Sequence, residues 1–224
     1  TANPSLLGVA DTAHTFLCAA ASFSVASASS GLSCVSALLL VDLQNDFFPG
    51  GALRIPEAET IVPTINRYIR HFSRNNWPIL ATRDWHPPNH CSFHEQQGPH
   101  PDHCVQGSRG AQFHSDLVLP PGMMVISKGT HPRQDSSSCF EGSSLEERLE
   151  DFGTNTLFIL GLGAPDCLKK TVEDACRLKF KTVILTDAVK SGSQTSAPST
   201  EYFQDLVKMG GVLAKAEDLS IPTT

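Results

Sequence analysis

From Ala37 onward the chain alternates short, unbroken apolar runs with stretches in which apolar side chains return every three or four residues. Ala37 to Val41 reads as a strand buried on both faces. Behind Pro56 and Glu57, the residues Ile61, Ile65, Tyr68, Ile69 and Phe72 recur at helical spacing. The same alternation predicts strands over Ile79–Thr82, Met123–Ile126, Thr156–Leu160 and Val183–Thr186, with an edge strand at Val212–Ala214. It predicts helices over Ser144–Phe152, Pro165–Leu178 and Ser199–Met209. Strands that are apolar throughout mark a parallel sheet covered by helices on both faces, an α/β arrangement. Sites in such sheets lie outside the carboxyl ends of the strands. Residues just after each strand are therefore expected to converge, whatever their separation in sequence.

Residues 1–36 break this pattern. They hold no Lys or Arg, one acidic residue (Asp11), and much Ala and Ser around Phe16, Leu17 and Phe23. A low-complexity Ala/Ser-rich extension, loosely packed at best, is expected ahead of one domain over 37–224. Ala26-Ser27-Ala28 has the look of a cleavage site, but a secretory signal wants basic residues before its apolar run and a transit peptide wants Arg. Organelle targeting by this extension stays open.

Composition narrows the function classes. At 224 residues, 40% hydrophobic and 18% charged, the chain can bury a substantial single core. A net charge of -6 gives no electrostatic reason to bind nucleic acid or an anionic membrane, and no apolar run reaches the length of a membrane span. A small diffusible substrate is expected instead, with a homo-oligomer left open. Seven cysteines, an odd number without a CxxC pair, suggest reduced thiols in a reducing compartment, hence a cytoplasmic protein.

The strand ends then supply chemistry. Asp42 follows the first strand, Asp84 and His86 the second, Lys128 the third, and Cys167 stands shortly after the fourth. A carboxylate, an ammonium and a thiol at one pole can build a nucleophile: the carboxylate takes the thiol proton and the cation favours the thiolate. Cys167 falls in the first turn of its predicted helix, with Pro165 suited to the first helical position, so the helix dipole is expected to lower the thiol pKa further. The segment Asp84 to His114 is long, polar and rich in histidine, and loops of this length in a compact domain are usually functional. Asp84 and His86 are two residues apart on a strand end and face one side, with Trp85 pointing away. Adding His103 gives an O, N, N metal site open to water or substrate, suited to zinc, with iron or manganese as alternatives; His90 is a candidate fourth ligand. His94, His100 and His114 read as solvated loop histidines.

These residues resemble a known family. Val41-Asp42-Leu43-Gln44-Asn45-Asp46-Phe47, followed by Pro49-Gly50-Gly51, looks like the opening motif of nicotinamidases among the isochorismatase-like cysteine hydrolases. Asp84-Trp85-His86-Pro87-Pro88-Asn89-His90 and Pro101-Asp102-His103-Cys104-Val105-Gln106-Gly107 resemble the metal-binding stretch of that family. Lys128-Gly129-Thr130 resembles the catalytic lysine segment, and Gly161-Leu162 leading to Asp166-Cys167-Leu168 the nucleophile turn. The likeness runs from about residue 37 to 216.

The resemblance implies a three-layer α/β/α fold with a mostly parallel sheet, and hydrolysis of nicotinamide to nicotinate and ammonia in NAD salvage. By position it makes Asp42 the general base, Lys128 its electrostatic partner and Cys167 the nucleophile that forms a thioester. Asp84, His86 and His103 would hold one divalent metal ion that orients the pyridine nitrogen. It further implies a cis peptide at Leu162–Gly163, an oxyanion hole from the amides of Gly163 and Cys167, and Phe47 stacking on the substrate ring. Departures cluster around the substrate: His100 stands where the family has Trp, Ser137 where it has Tyr, and Ala164-Pro165 where it has Thr-Asp. Two further readings therefore stay open, an amidase of the same fold for another small amide, and a catalytically weak relative kept as a binding module.

Overall fold

The computed structural model describes residues 35–163, 167–192 and 198–222. Strand β1, Val35–Val41, is a seven-residue apolar run with only its first residue partly exposed. Val35 and Ser36, assigned to the extension by sequence, open this strand; the rest of the extension lies outside the described residues. Short 3₁₀ turns at Asn45–Phe47 and Ala58–Ile61 lead to helix α1, Val62–Arg74, with a proline in its first turn. Strands β2, Ile79–Asp84, and β3, Met124–Lys128, follow, separated by a long loop. Helix α2, Leu145–Asp151, strand β4, Thr154–Gly163, helix α3, Cys167–Arg177, and strand β5, Lys181–Ser191, come next. Helix α4, Thr200–Lys208, is capped by the Ser199 hydroxyl, which accepts from the Tyr202 amide at 3.1 Å, and β6 is Val212–Ala214. Every predicted element is present within a few residues. Pro165, placed at the start of α3 by sequence, lies outside the described residues.

All strand pairs are parallel, in the order β3-β2-β1-β4-β5-β6. Successive side chains of β1 go to opposite faces: Leu38 and Leu40 pack with Ile65, Tyr68 and Phe72 of α1, while Ala37, Leu39 and Val41 pack with Leu149 of α2, Val172 of α3 and Leu206 of α4. Both faces are thus covered, which is why the inner strands carry no polar alternation. Among the described residues no helix is long and apolar enough to cross a membrane.

At Gly161 a Cβ would overlap the backbone of Val41, and its φ of 131° suits glycine. This close approach seats the end of β4 against the end of β1, next to Asp42. The Leu162–Gly163 peptide is trans, contrary to the expectation from resemblance. Extended backbone continues through Gly163, which pairs with Ser191 and whose carbonyl accepts from the Gly192 amide at 2.9 Å.

Central and edge strands should respond differently to truncation. Leu39→Ala, at a fully buried site in β1, is expected to lower unfolding free energy in urea by about 2–5 kcal/mol, and Val125→Ala, 39% exposed on edge strand β3, by less than about 1 kcal/mol.

Candidate active site and metal centre

Asp42 follows the last residue of β1 in a left-handed conformation, φ 50°, unusual for a residue with a side chain. One carboxylate oxygen accepts from the Thr82 hydroxyl at 2.7 Å, and that hydroxyl in turn accepts from the Asp42 amide at 3.3 Å. The other oxygen lies 3.0 Å from the Lys128 ammonium and accepts from the Cys167 thiol at 3.4 Å. Lys128 ends β3 opposite Asp84, its register partner at the end of β2, and donates to Asp84 Oδ1 at 2.5 Å. All four side chains are buried, Lys128 at 2% exposure.

Burial opposes charge on each group, and the neighbours decide the outcome. Desolvation raises the pKa of Asp42 despite Lys128 beside it, which makes this carboxylate a stronger base than usual. Burial alone would neutralise Lys128, but Asp42 and Asp84 outweigh it and hold the ammonium charged. Asp84 is held below the usual carboxylate range because Lys128 and the nearby imidazoles overcome its own burial. The expectation of a depressed Cys167 pKa is corrected: contact with the Cys139 thiol and burial push it well up, and Lys128 offsets only part of this. The resting pair is a thiol donating to a carboxylate.

Asp84, His86 and His103 converge beside this cluster, all buried, with one potential ligand atom from each lying within 4.8 Å of the others. A pairing of residue 86 with Val105 draws the loop in, with the His86 amide donating to the Cys104 carbonyl at 3.0 Å and the Gln106 amide to the His86 carbonyl at 2.8 Å. Nδ1 of His86 is 2.9 Å from the Gly129 carbonyl and Nδ1 of His103 is 2.9 Å from the Pro101 carbonyl. A carbonyl can only accept, so each Nδ1 carries the proton and each Nε2 presents a lone pair. Burial lowers the His86 pKa to about 4, so its ring is neutral. Two imidazoles oriented from behind by carbonyls, together with a carboxylate, fit a divalent cation of the zinc type with positions left open.

His90 does not join them. Its Nδ1 is engaged with the Ser92 hydroxyl at 2.8 Å and its Nε2 faces the Gln134 carbonyl at 3.3 Å, while its ring stacks on His86 at 4.0 Å. Its role is to wall in His86 rather than to ligate. His94 is exposed and pairs with the Pro99 carbonyl, and His114 packs on Phe48.

Both clusters open onto one cavity of about 270 Å³, lined also by Leu53, Ser92, His100, Asp135, Ser136, Ser137 and Lys170. His100 thus lines the site rather than an open loop. The Phe47 ring is buried and stands edge-on to His103 at 6.1 Å, so it buttresses that imidazole. Sequence reasoning gave no role to Gln44, whose amide accepts from the Asp84 amide at 2.7 Å and donates to the Asp84 and Ala111 carbonyls at 2.7 and 3.0 Å. It also passed over Thr82, two residues before Asp84 and so on its side of β2, and Cys139, for which no spacing gave a signal.

Residues 36–218 match the family described as Isochorismatase domain. The chain belongs to the isochorismatase family. The nicotinamidase of Escherichia coli (strain K12) is 36% identical over 203 residues, 81% of this chain and 95% of that protein. Among solved structures, the pyrazinamidase of Pyrococcus horikoshii in complex with zinc superposes with a TM-score of 0.76 at 39% identity, covering 80% of this chain and 98% of that one. PnC1 from L. infantum in complex with nicotinate gives 0.74 at 31% identity, covering 86% and 98%. The parallel sheet and the pole of buried ionic groups described above thus stand in a family whose members include amide hydrolases.

Gly129 sits at φ 60°, and a Cβ there would overlap the His86 ring. Gly129→Ala is expected to lose metal as His86→Ala and His103→Ala do, read as zinc per chain in the purified protein, whereas His94→Ala and His114→Ala retain it.

Proposed function

We propose that the chain hydrolyses nicotinamide to nicotinate and ammonia, a step of NAD salvage, through a thioester on Cys167. What supports this reading above all is the contact of Cys167, Asp42 and Lys128 on a cavity that the Asp84, His86 and His103 cluster shares, in a chain similar to nicotinamidases. At about 270 Å³ the cavity falls just below the range of about 300–1,000 Å³ usual for drug-sized ligands, which suits a single-ring amide.

Asp42 takes the Cys167 proton as the sulfur attacks the carboxamide carbon. The proton then passes to the departing nitrogen, which leaves as ammonia. Asp42 next removes a proton from water as it attacks the thioester, the C–S bond breaks, the leaving sulfur recovers that proton from Asp42, and the acid released ionises to nicotinate. Lys128 stays protonated throughout and keeps Asp42 aimed while offsetting its charge. The amides of Gly163 and Cys167, at the end of β4 and the start of α3, are the proposed donors to the carbonyl oxygen as it gains charge. Asp84, His86 and His103 would hold a divalent ion, which would supply Lewis acidity toward the substrate ring.

A second reading, an amidase for another small amide, is favoured by one observation: His100 and Ser137, the departures from the family pattern, both line the cavity. Ammonia release from nicotinamide, pyrazinamide and aliphatic amides by the metal-loaded protein decides between the two.

Cys167→Ala should abolish ammonia release at unchanged metal content; turnover near wild type would remove Cys167 from the chemistry. Because Asp42 must be deprotonated to act and burial raises its pKa, kcat/KM should climb with pH along a limb centred above the ordinary carboxylate value of about 3.9. Asp42→Asn should remove that limb along with the activity. His100→Trp should lower the KM for nicotinamide several-fold at little change in kcat, since added aromatic surface binds ground and transition states alike. Loss of activity in that variant, together with wild-type preference for an aliphatic amide, would favour the second reading.

A further inference from the structure

Cys139 is a buried thiol that the proposed chemistry does not use. It lies in the segment between β3 and α2, fully enclosed, and its amide donates to the Thr171 hydroxyl at 2.9 Å, one turn along α3 from Cys167. Its sulfur, that of Cys167 and an Asp42 oxygen all lie within 4.8 Å of one another. The Cys139 thiol donates to the Thr82 hydroxyl at 3.4 Å, and Thr82 donates to Asp42 at 2.7 Å, so a hydrogen-bonded path leads from the second thiol to the carboxylate that serves the first. Access is unequal: Cys167 lines the cavity at 7% exposure and Cys139 shows none of its surface.

Two thiols and a carboxylate could instead be a trap for a soft cation. The Lys128 ammonium, 3.0 Å from the same carboxylate, opposes an added positive charge there. What it favours is negative charge on sulfur.

We propose that Cys167 and Cys139 are a peroxide-sensitive pair, an oxidative modification site in which Cys167 is oxidised from the cavity and Cys139 resolves it to a disulfide. In the first step the Cys167 sulfur attacks one oxygen of hydrogen peroxide, its proton passes to Asp42, the O–O bond breaks, and the departing hydroxide takes that proton to leave as water. In the second step Cys139 attacks the sulfenic sulfur, the S–O bond breaks, and the hydroxide recovers the proton released along Thr82 and Asp42. Two thiols lose two electrons, peroxide gains them, and two waters form. The gap to be closed between the two sulfurs is under 4.8 Å. The disulfide is independent of the nicotinamidase reading; only the inhibition it causes rests on that reading.

The test uses the full chain, treated with hydrogen peroxide, alkylated and digested for mass spectrometry. A linked Cys139–Cys167 peptide, removed by dithiothreitol, is the expected result. Recovery of free Cys139 alongside sulfinic Cys167 would overturn the proposal. In Cys139→Ala, and in Cys139→Ser as the closer isostere, Cys167 should pass on to the sulfinic acid, and thiol reductant should no longer reverse the modification. Equal reversibility in wild type and both variants would also overturn it. Ammonia release followed in parallel separates the readings: linkage without loss of activity counts against Cys167 as nucleophile and leaves the pair standing.

Discussion

The buried ammonium of Lys128, held between Asp42 and Asp84, is the constraint around which the site is organised. Two carboxylates around one ammonium leave a single negative charge on side chains that are all buried. Such a group is tolerated only when each charge is paired and hydrogen-bonded, and removing one partner typically costs about 3–5 kcal/mol. The Asp42 carboxylate is accordingly tied to the Thr82 hydroxyl, while Gln44 fixes the backbone of Asp84 by accepting from its amide and donating to its carbonyl. The same ammonium separates two tasks. On one side a carboxylate is left basic enough to receive a thiol proton; on the other a carboxylate is kept ionised beside His86 and His103.

Strand order explains how these groups meet. The chain builds β1, β2 and β3 outward in one direction and then crosses to lay β4 on the other flank of β1. The crevice at that reversal lies between the ends of β1 and β4. Asp42 and Cys167 stand on its two rims, and Asp84 and Lys128 follow on the next strands outward. Side chains separated by 125 positions in sequence are thereby brought into contact. Gly161 makes the closeness feasible by omitting a side chain where β4 meets β1.

Much of this was legible in the sequence because it is carried by strong, local signals. Buried parallel strands are apolar throughout, and their ends announce where the polar groups must gather. Asp42, Asp84, His86, Lys128 and Cys167 could be selected on that basis alone. Properties that depend on the third dimension were not legible. Whether His90 ligates depends on Ser92 and Gln134 occupying its nitrogens, and whether the Cys167 thiol is acidic depends on a neighbouring thiol that no spacing revealed. Phe47 belongs to the opening motif, yet which way its ring turns is decided by how the 3₁₀ turn packs beneath His103.

Among the described residues Lys128 belongs to β3, the outermost strand on its side, paired only with β2 and with Val125 open to solvent. Outer strands are the parts of a sheet that detach most readily in local opening events, at a smaller free energy than loss of the whole structure. The ion on which the charge balance depends is therefore attached to a less protected strand than the Asp42 carboxylate it faces. Detachment of β3 alone would leave Asp42 and Asp84 facing each other as like charges while α3 and the inner strands remained folded. Heating is then expected to disperse this charge cluster through one pair of strands before the core itself unfolds.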